Sequence, residues 1–522
     1  MPEASHTSFQ RSAGILLHPS SLPGPYGIGD LGQAAYQWLD FLKEADQKLW
    51  QVLPLGPTGY GDSPYQCFSA FAGNPYLISL DKLLDDRLLA DVDIVYPDLS
   101  EDKVDFGAMI PWKLSLLESS FKRFSKASEA LKEEFQQFCL EKASWLEHYA
   151  LFMALKEYHG GVAWNAWPKA FRDRDETALT AWQVTHSQTI EKYKYYQWLF
   201  FRQWLELKAY AHSLDIQIIG DIPIFIAYDS ADTWANPSLF YLDSKGNPTV
   251  VAGVPPDYFS ATGQRWGNPL YRWERMQAQG FQWWIDRVTA TYELVDIVRL
   301  DHFRGFEAYW EIPASEATAV KGRWLKGPGQ ALFDALRSAF GDKLAIIAED
   351  LGVITPEVEA LRDNNGFPGM KVLQFAFGSD ASDPYLPHNY SPNSVVYSGT
   401  HDNDTSLGWY SQTPEVEKDF ARRYLARDGS DIAWDLIRLA YASPAVFSIV
   451  PLQDVLRLDS SARMNTPGSA ANNWSWRFRF EDIGYWLAPN LADITEVYGR
   501  SSKVLEVKDT AYRQSVLPEV LS

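Results

Sequence analysis

DIVRLDHFRG (296–305) decides the fold. Its apolar stretch has strand length, is rich in β-branched residues, and stops abruptly at Asp301 among polar neighbours. A short apolar run that ends in charge is the pattern of a central strand leaving a parallel sheet at its carboxyl end. LAIIAEDLG (344–352) repeats the pattern and reaches Glu349; VVYSGTHDNDT (395–405) repeats it again and reaches Asp402. One strand-end Asp would equally suit a helix N-cap. Three in succession, with Arg299, His302, Asp350, His401 and Asn403 beside them, describe a shared polar cleft.

Outward from these three, five more runs have the same character: GILLH (14–18), LWQVLPL (49–55), IQIIGDI (216–222), KVLQFAF (371–377) and FSIVPL (447–452). Amphipathic helical stretches separate most of them, among them GQAAYQWLDFLKEA (32–45), GFQWWIDRVTATYE (280–293), GQALFDALRSAF (329–340) and VEKDFARRYLA (416–426). Strand and helix alternating eight times predict an α/β fold, a closed (β/α)8 TIM barrel spanning 1–522 as one catalytic domain, with its site at the strand carboxyl ends. The spacing is uneven. A mainly helical insertion, 56–215, is expected between strands 2 and 3. A second, 227–280, rich in Gly, Pro, Asn and aromatics, is expected between strands 3 and 4 as a substrate-covering loop. The tail adds a polar-aromatic cluster, RMNTPGSAANNWSWR (463–477).

On this count Asp301 follows strand 4, Glu349 ends strand 5 and Asp402 follows strand 7. Carboxylates on adjacent strands can face one another across a bound sugar. At about 5–5.5 Å they support retaining chemistry through a glycosyl-enzyme intermediate. Arg299, two residues before Asp301 on the same strand face, would help keep that carboxylate ionised.

Composition bounds the partners. A net charge of −20 over 522 residues disfavours nucleic acid and anionic lipid, which require a basic face. No apolar run approaches the roughly 18 residues of a membrane span, and MPEASHTSFQRSAG has no apolar signal segment, so no membrane association and a cytoplasmic location are expected. The two cysteines, Cys67 and Cys139, form no spaced metal set. Aromatics are the anomaly: 21 Trp, 27 Tyr and 28 Phe. Most must fill the core. Many, however, sit in loop-like stretches, such as Tyr60 and Tyr65 in PTGYGDSPYQ and Tyr258, Phe259 and Trp266 in PPDYFSATGQRWGNP. Exposed rings beside amides and carboxylates suit sugars, whose C–H faces stack on them.

These residues carry a resemblance. GILLHPSSLPGPYGIGDLG (14–32), LPLGPTGYGDSPYQCFSAFAGNPYLISL (53–80), GDIPIFIAYDSADTW (220–234), GVPPDYFSATGQRWGNPLY (253–271), VRLDHFRGFEAYW (298–310), AEDLG (348–352), SGTHDNDT (398–405) and ARMNTPGSAANNWSWR (462–477) are similar to the motifs of glycoside hydrolase family 77 in the α-amylase superfamily, the 4-α-glucanotransferases or amylomaltases. The likeness covers nearly the whole chain and is weakest over 85–200. It implies Asp301 as nucleophile, Glu349 as general acid/base and Asp402 as transition-state stabiliser. It further implies His302 and His401 as sugar contacts, and Tyr60, Ser63 and Tyr65 as a substrate-contacting loop. Tyr258, Phe259, Gln264 and Trp266 match the lid, Asp221 and Arg299 support the site, and Asn465 is a further contact; His18 reads as structural. The implied substrates are maltooligosaccharides and α-1,4-glucans. No cofactor and no metal are expected, and the enzyme should be a monomer or a weak homo-oligomer.

Three other readings compete. His18, His302 and His401 at strand ends would suit a metal-dependent hydrolase, but such sites usually pair two His on one strand, and the chain has no HxH. A non-catalytic glucan-binding protein would not require all three acids. An α-glucan hydrolase shares the covalent intermediate and differs only in its acceptor.

Overall fold

The structure is a computed structural model that describes residues 9–256, 260–469 and 472–501. Eight parallel strands close into a barrel: Ser12–Leu16, Leu49–Gln51, Gln217–Pro223, Ile297–Asp301, Ile346–Ala348, Gly369–Val372, Ser394–Tyr397 and Phe447–Pro451, here barrel strands 1 to 8. Strand 1 pairs with strand 8 from Ser12↔Phe447 to Leu16↔Pro451 and so completes the ring. Nearly every residue of these strands is buried, because helices cover the outside while side chains fill the inside.

The helices follow from the apolar spacing. In Gln33–Glu44 the buried Ala35, Trp38, Leu39 and Leu42 recur at three- and four-residue intervals, one stripe facing the barrel. Gln330–Phe340 buries Leu332, Phe333 and Leu336 in the same way. Across the barrel interior the Tyr397 hydroxyl donates to Gln51 Oε1 (2.8 Å), tying strand 7 to strand 2. The Trp50 indole N–H donates to the Leu17 carbonyl (2.8 Å).

Two elements differ from the sequence reading. The run 371–377 is strand only to Val372, and Leu373–Phe375 turn into a 3-10 helix. The polar 227–280 excursion is not loop alone: Val250–Val254 and Gln264–Pro269 join Ala308–Pro313 and Arg323–Lys326 in an antiparallel sheet, in the order 264–269, 250–254, 308–313, 323–326. Segments before and after strand 4 thus build one structure above the mouth. Gly263 makes its turn with φ +65°, and a Cβ there would lie 2.4 Å from the Val254 carbonyl oxygen.

Between strands 2 and 3 the chain forms helices that include Phe106–Phe124, Glu129–Glu141, Ala143–Tyr158 and the long Ser187–Ser213. The last packs on the other three and on strand 3. A separate apolar cluster forms within this insertion from Phe152, Trp164, Trp167 and Trp182, joined by Trp234 from after strand 3. No helix among the described residues is long and apolar enough to cross a membrane.

Candidate active site

Register sets the acids level. Strands 4 and 5 pair Arg299↔Ile347 and Leu300↔Ala348, and the Glu349 N–H donates to the Leu300 carbonyl (3.0 Å), so Glu349 emerges beside Asp301. Strands 3 and 4 pair Asp221↔Arg299. Arg299 is buried and its Nη1 reaches both oxygens of Asp221 (2.8 and 2.7 Å) and Oδ1 of Asp301 (2.9 Å). The Tyr65 hydroxyl donates to Asp221 Oδ2 (2.8 Å). A chain therefore runs Tyr65–Asp221–Arg299–Asp301, with one cation between two carboxylates. Asp221 is fully enclosed, whereas the Asp301 side chain keeps 30% of its surface open to the cleft. One acid anchors the guanidinium and the other is presented.

Glu349 is held differently. Its Oε2 accepts from the His302 N–H (2.7 Å) and its Oε1 from the Leu351 N–H (2.9 Å). The first bond requires an unusual backbone: His302 sits in the left-handed region at φ 54°, ψ 50°, which a non-glycine residue adopts at a cost of about 1–3 kcal/mol. Burial, then the charge of Asp301, pushes the Glu349 carboxyl up to about 7, against the pull of Arg299 and the two N–H donors. The site thus supplies an ion-paired carboxylate next to a carboxyl that is part-protonated at neutral pH.

Asp402 lies in the turn after strand 7 and is clamped by the segment after strand 8. Asn465 Nδ2 donates to its Oδ1 (2.6 Å), Arg463 Nη2 donates to its carbonyl (2.6 Å), and His401 Nε2 stands 3.4 Å from Oδ1. The His401 ring stacks on Tyr65 (centroids 5.1 Å, 16°), and Trp474 packs against both rings at 5.9 and 5.7 Å. His302 is half-buried, its Nε2 is enclosed with no hydrogen-bond partner among the described residues, and desolvation lowers it to about 4, so the imidazole is neutral. Trp266 meets that ring edge-on (4.9 Å, 89°) and donates from Nε1 to Gln264 Oε1 (3.1 Å).

Not every candidate joins the cluster. Tyr60 stands 82% exposed at the rim, and Ser63 Oγ accepts from the Tyr65 N–H (3.2 Å), shaping the loop. Tyr258 and Phe259 lie outside the described residues. Asp350 and Asn403, grouped with the acids by sequence, serve the backbone. Asp350 pairs with Arg362 and accepts from the Met370 N–H (2.7 Å). Asn403 accepts from the Thr400 N–H and hydroxyl (2.9 and 2.8 Å). Conversely, Arg463 and Trp474 join the site although sequence reasoning did not single them out; their signal lay in the basic and aromatic residues flanking Asn465. His18 is buried, its Nδ1 has no partner among the described residues, and burial, reinforced by His401, lowers it to about 3. Among the described residues no group of three or more His, Cys, Asp or Glu is arranged to hold a metal ion.

Fold and site together define an α/β-barrel enzyme with a three-acid cleft lined by aromatic and imidazole rings. A family model for 4-alpha-glucanotransferases matches residues 17–482. The 4-alpha-glucanotransferase of Thermus thermophilus is 56% identical over 476 residues, 90% of this chain and 94% of that protein. That of Synechocystis is 52% identical over 496 residues, covering 94% and 98%. Among solved structures, the amylomaltase of Streptococcus agalactiae in complex with acarbose superposes with a TM-score of 0.92 at 40% identity, covering 94% of this chain and all of that one. The chain belongs to the 4-alpha-glucanotransferase family, glycoside hydrolase family 77, and is an enzyme that transfers segments of α-1,4-glucan.

Proposed function

We propose that the transfer proceeds by double displacement, with Asp301 as nucleophile, Glu349 as general acid and then base, and Asp402 as the group that steadies the distorted sugar ring. The observation that carries this is the contrast between neighbouring acids: Asp301 is ion-paired to Arg299, while Glu349 is lifted to about 7. A nucleophile must be ionised and a general acid protonated in the same encounter, and two environments that separate the acids this way meet both demands. In the first step an Asp301 oxygen bonds to the anomeric carbon while the glycosidic C–O bond breaks, and Glu349 gives its proton to the departing oxygen. In the second, Glu349 takes the proton of an acceptor 4-hydroxyl as that oxygen displaces Asp301. The enclosed His302 Nε2, without a partner among the described residues, bonds a sugar hydroxyl in this reading, and maltooligosaccharides are the donors and acceptors. Asp221, Arg299, Tyr65 and Asn465 hold the reacting carboxylates in position.

A 5-fluoro-glucosyl fluoride should lose fluoride and glycosylate one carboxylate, the adduct should accumulate, and peptide mass spectrometry should find the sugar on Asp301. Asp301→Asn should lose at least about three orders of magnitude in kcat with its fold intact. Label on another residue, or near-normal turnover by Asp301→Asn, would remove the assignment.

A further inference from the structure

Away from the cleft, one surface cluster combines exposed rings with hydrogen-bonding groups that face solvent. Tyr485 is 94% exposed and Trp486 39%, at the start of helix Leu487–Val497. Trp486 is held in place: Arg457 Cζ lies 5.1 Å from its ring centre and 4.8 Å from that of Trp434, and the two indoles are 6.2 Å apart. Gly484 packs so close that a Cβ there would stand 2.4 Å from Trp486 Nε1. Arg457 also makes a paired contact with Asp431 (2.8 and 2.9 Å), and both side chains remain open to solvent.

The cluster stands at the same end of the barrel as the acids. Trp434 is on the first turn of helix Ile432–Ala442, which leads back into strand 8, so that turn lies at the strand carboxyl ends. Its Nε1 donates to the Val455 carbonyl (3.0 Å), just past the end of strand 8. The chain then runs from Arg457 through Ser460, bonded to Asp404 (2.7 Å), to Arg463 and Asn465, which grip Asp402.

We propose that Tyr485 and Trp486, flanked by Arg457 and Asp431, form a second α-glucan contact that holds a long chain outside the catalytic cleft. Rings offer stacking to sugar C–H faces, and the adjacent guanidinium and carboxylate offer bonds to hydroxyls. A net charge of −20 makes nucleic acid or an anionic membrane a poor occupant of this face. A polymer bound at two points gains from effective concentration, whereas an oligosaccharide too short to reach both does not. The inference rests on the α-glucan substrate of the family, whose own test is maltotriose disproportionation by the native enzyme.

The experiment is affinity electrophoresis in amylose gels, run in the inactive Asp301→Asn background so that the polymer is not consumed. Adding Tyr485→Ala and Trp486→Ala should weaken retardation by about fivefold. In the active enzyme the same pair should raise KM for amylose about fivefold and leave kcat and KM for maltotriose unchanged. Tyr485→Ala alone, at a side chain almost wholly in solvent, should show the effect in part and keeps the test valid if the double variant misfolds. Retardation and amylose KM that stay at parental values would overturn the proposal. So would a change from dimer to monomer in light scattering with glucan binding unaltered, which would make this face a contact between copies of the chain.

Discussion

Under the proposed mechanism Glu349 must arrive at the glycosidic oxygen carrying a proton, and that requirement fixes the expected pH dependence. Its carboxyl is raised to about 7, first by burial and then by Asp301. The protonated fraction falls as pH rises through that value, so kcat/KM should decline above about pH 7 as a single-proton limb. The same limb should move down in Arg299-intact variants that admit more water around Glu349, since burial is the larger cause. A rate that stayed flat to pH 9 would show that another group delivers the proton. Arg299 itself carries a stability consequence. Its guanidinium pairs with both Asp221 and Asp301 and is buried between them. Arg299→Met leaves a buried carboxylate uncompensated, at a cost of about 3–5 kcal/mol. Calorimetry at pH 7 should find a clearly lowered melting temperature; an unchanged melt would mean that Asp221 is already neutral in the native protein.

At the scale of elements, the antiparallel sheet is what positions the cleft's outer wall. Trp266 belongs to its edge strand Gln264–Pro269 and meets the catalytic layer through the His302 ring. In the proposed mechanism that ring contacts an incoming sugar without taking part in bond cleavage. Trp266→Ala should lower the ratio of transfer to hydrolysis roughly fivefold, the equivalent of about 1 kcal/mol of ring contact. The rate of donor cleavage should change much less, a split read by measuring glucose release and product length together. Equal loss of both would make Trp266 a donor contact. This sheet was the element least legible in the sequence. Its strands are short, carry Gly and Pro, and pair segments on either side of strand 4, so neither periodicity nor local composition announces them. The barrel strands were legible because burial on both faces leaves continuous apolar runs. The side chains of Asp350 and Asn403 show the limit of that signal: polarity at a strand end marks the mouth, but an Asp tied to a backbone N–H and an Asp open to the cleft look alike in sequence. The clamp on Asp402 was harder still, since Asn465 meets it across 63 residues of chain.

At the scale of the whole molecule, the question is which acceptor reaches the proposed glycosyl-Asp301 intermediate. Water is far more concentrated than any sugar, so a transferase must hold its acceptor in line and keep water unproductive. This chain surrounds the acids with structure suited to both demands. The insertion after strand 2 brings Tyr65 against Asp221, the sheet brings Trp266 against His302, and the segment after strand 8 brings Trp474 against His401. Each ring comes from a different excursion, and all converge on the strand carboxyl ends. The arithmetic of products then separates transfer from hydrolysis. A transfer breaks one glycosidic bond and makes another, so the number of reducing ends is conserved, whereas every hydrolysis adds one. Incubated with maltotriose alone, the enzyme should give glucose and a ladder of longer maltodextrins while the reducing-end count stays nearly constant. A steady rise in reducing ends with nothing longer than maltotriose would mean that water wins at the second step, and that the rings around the acids serve donor binding alone.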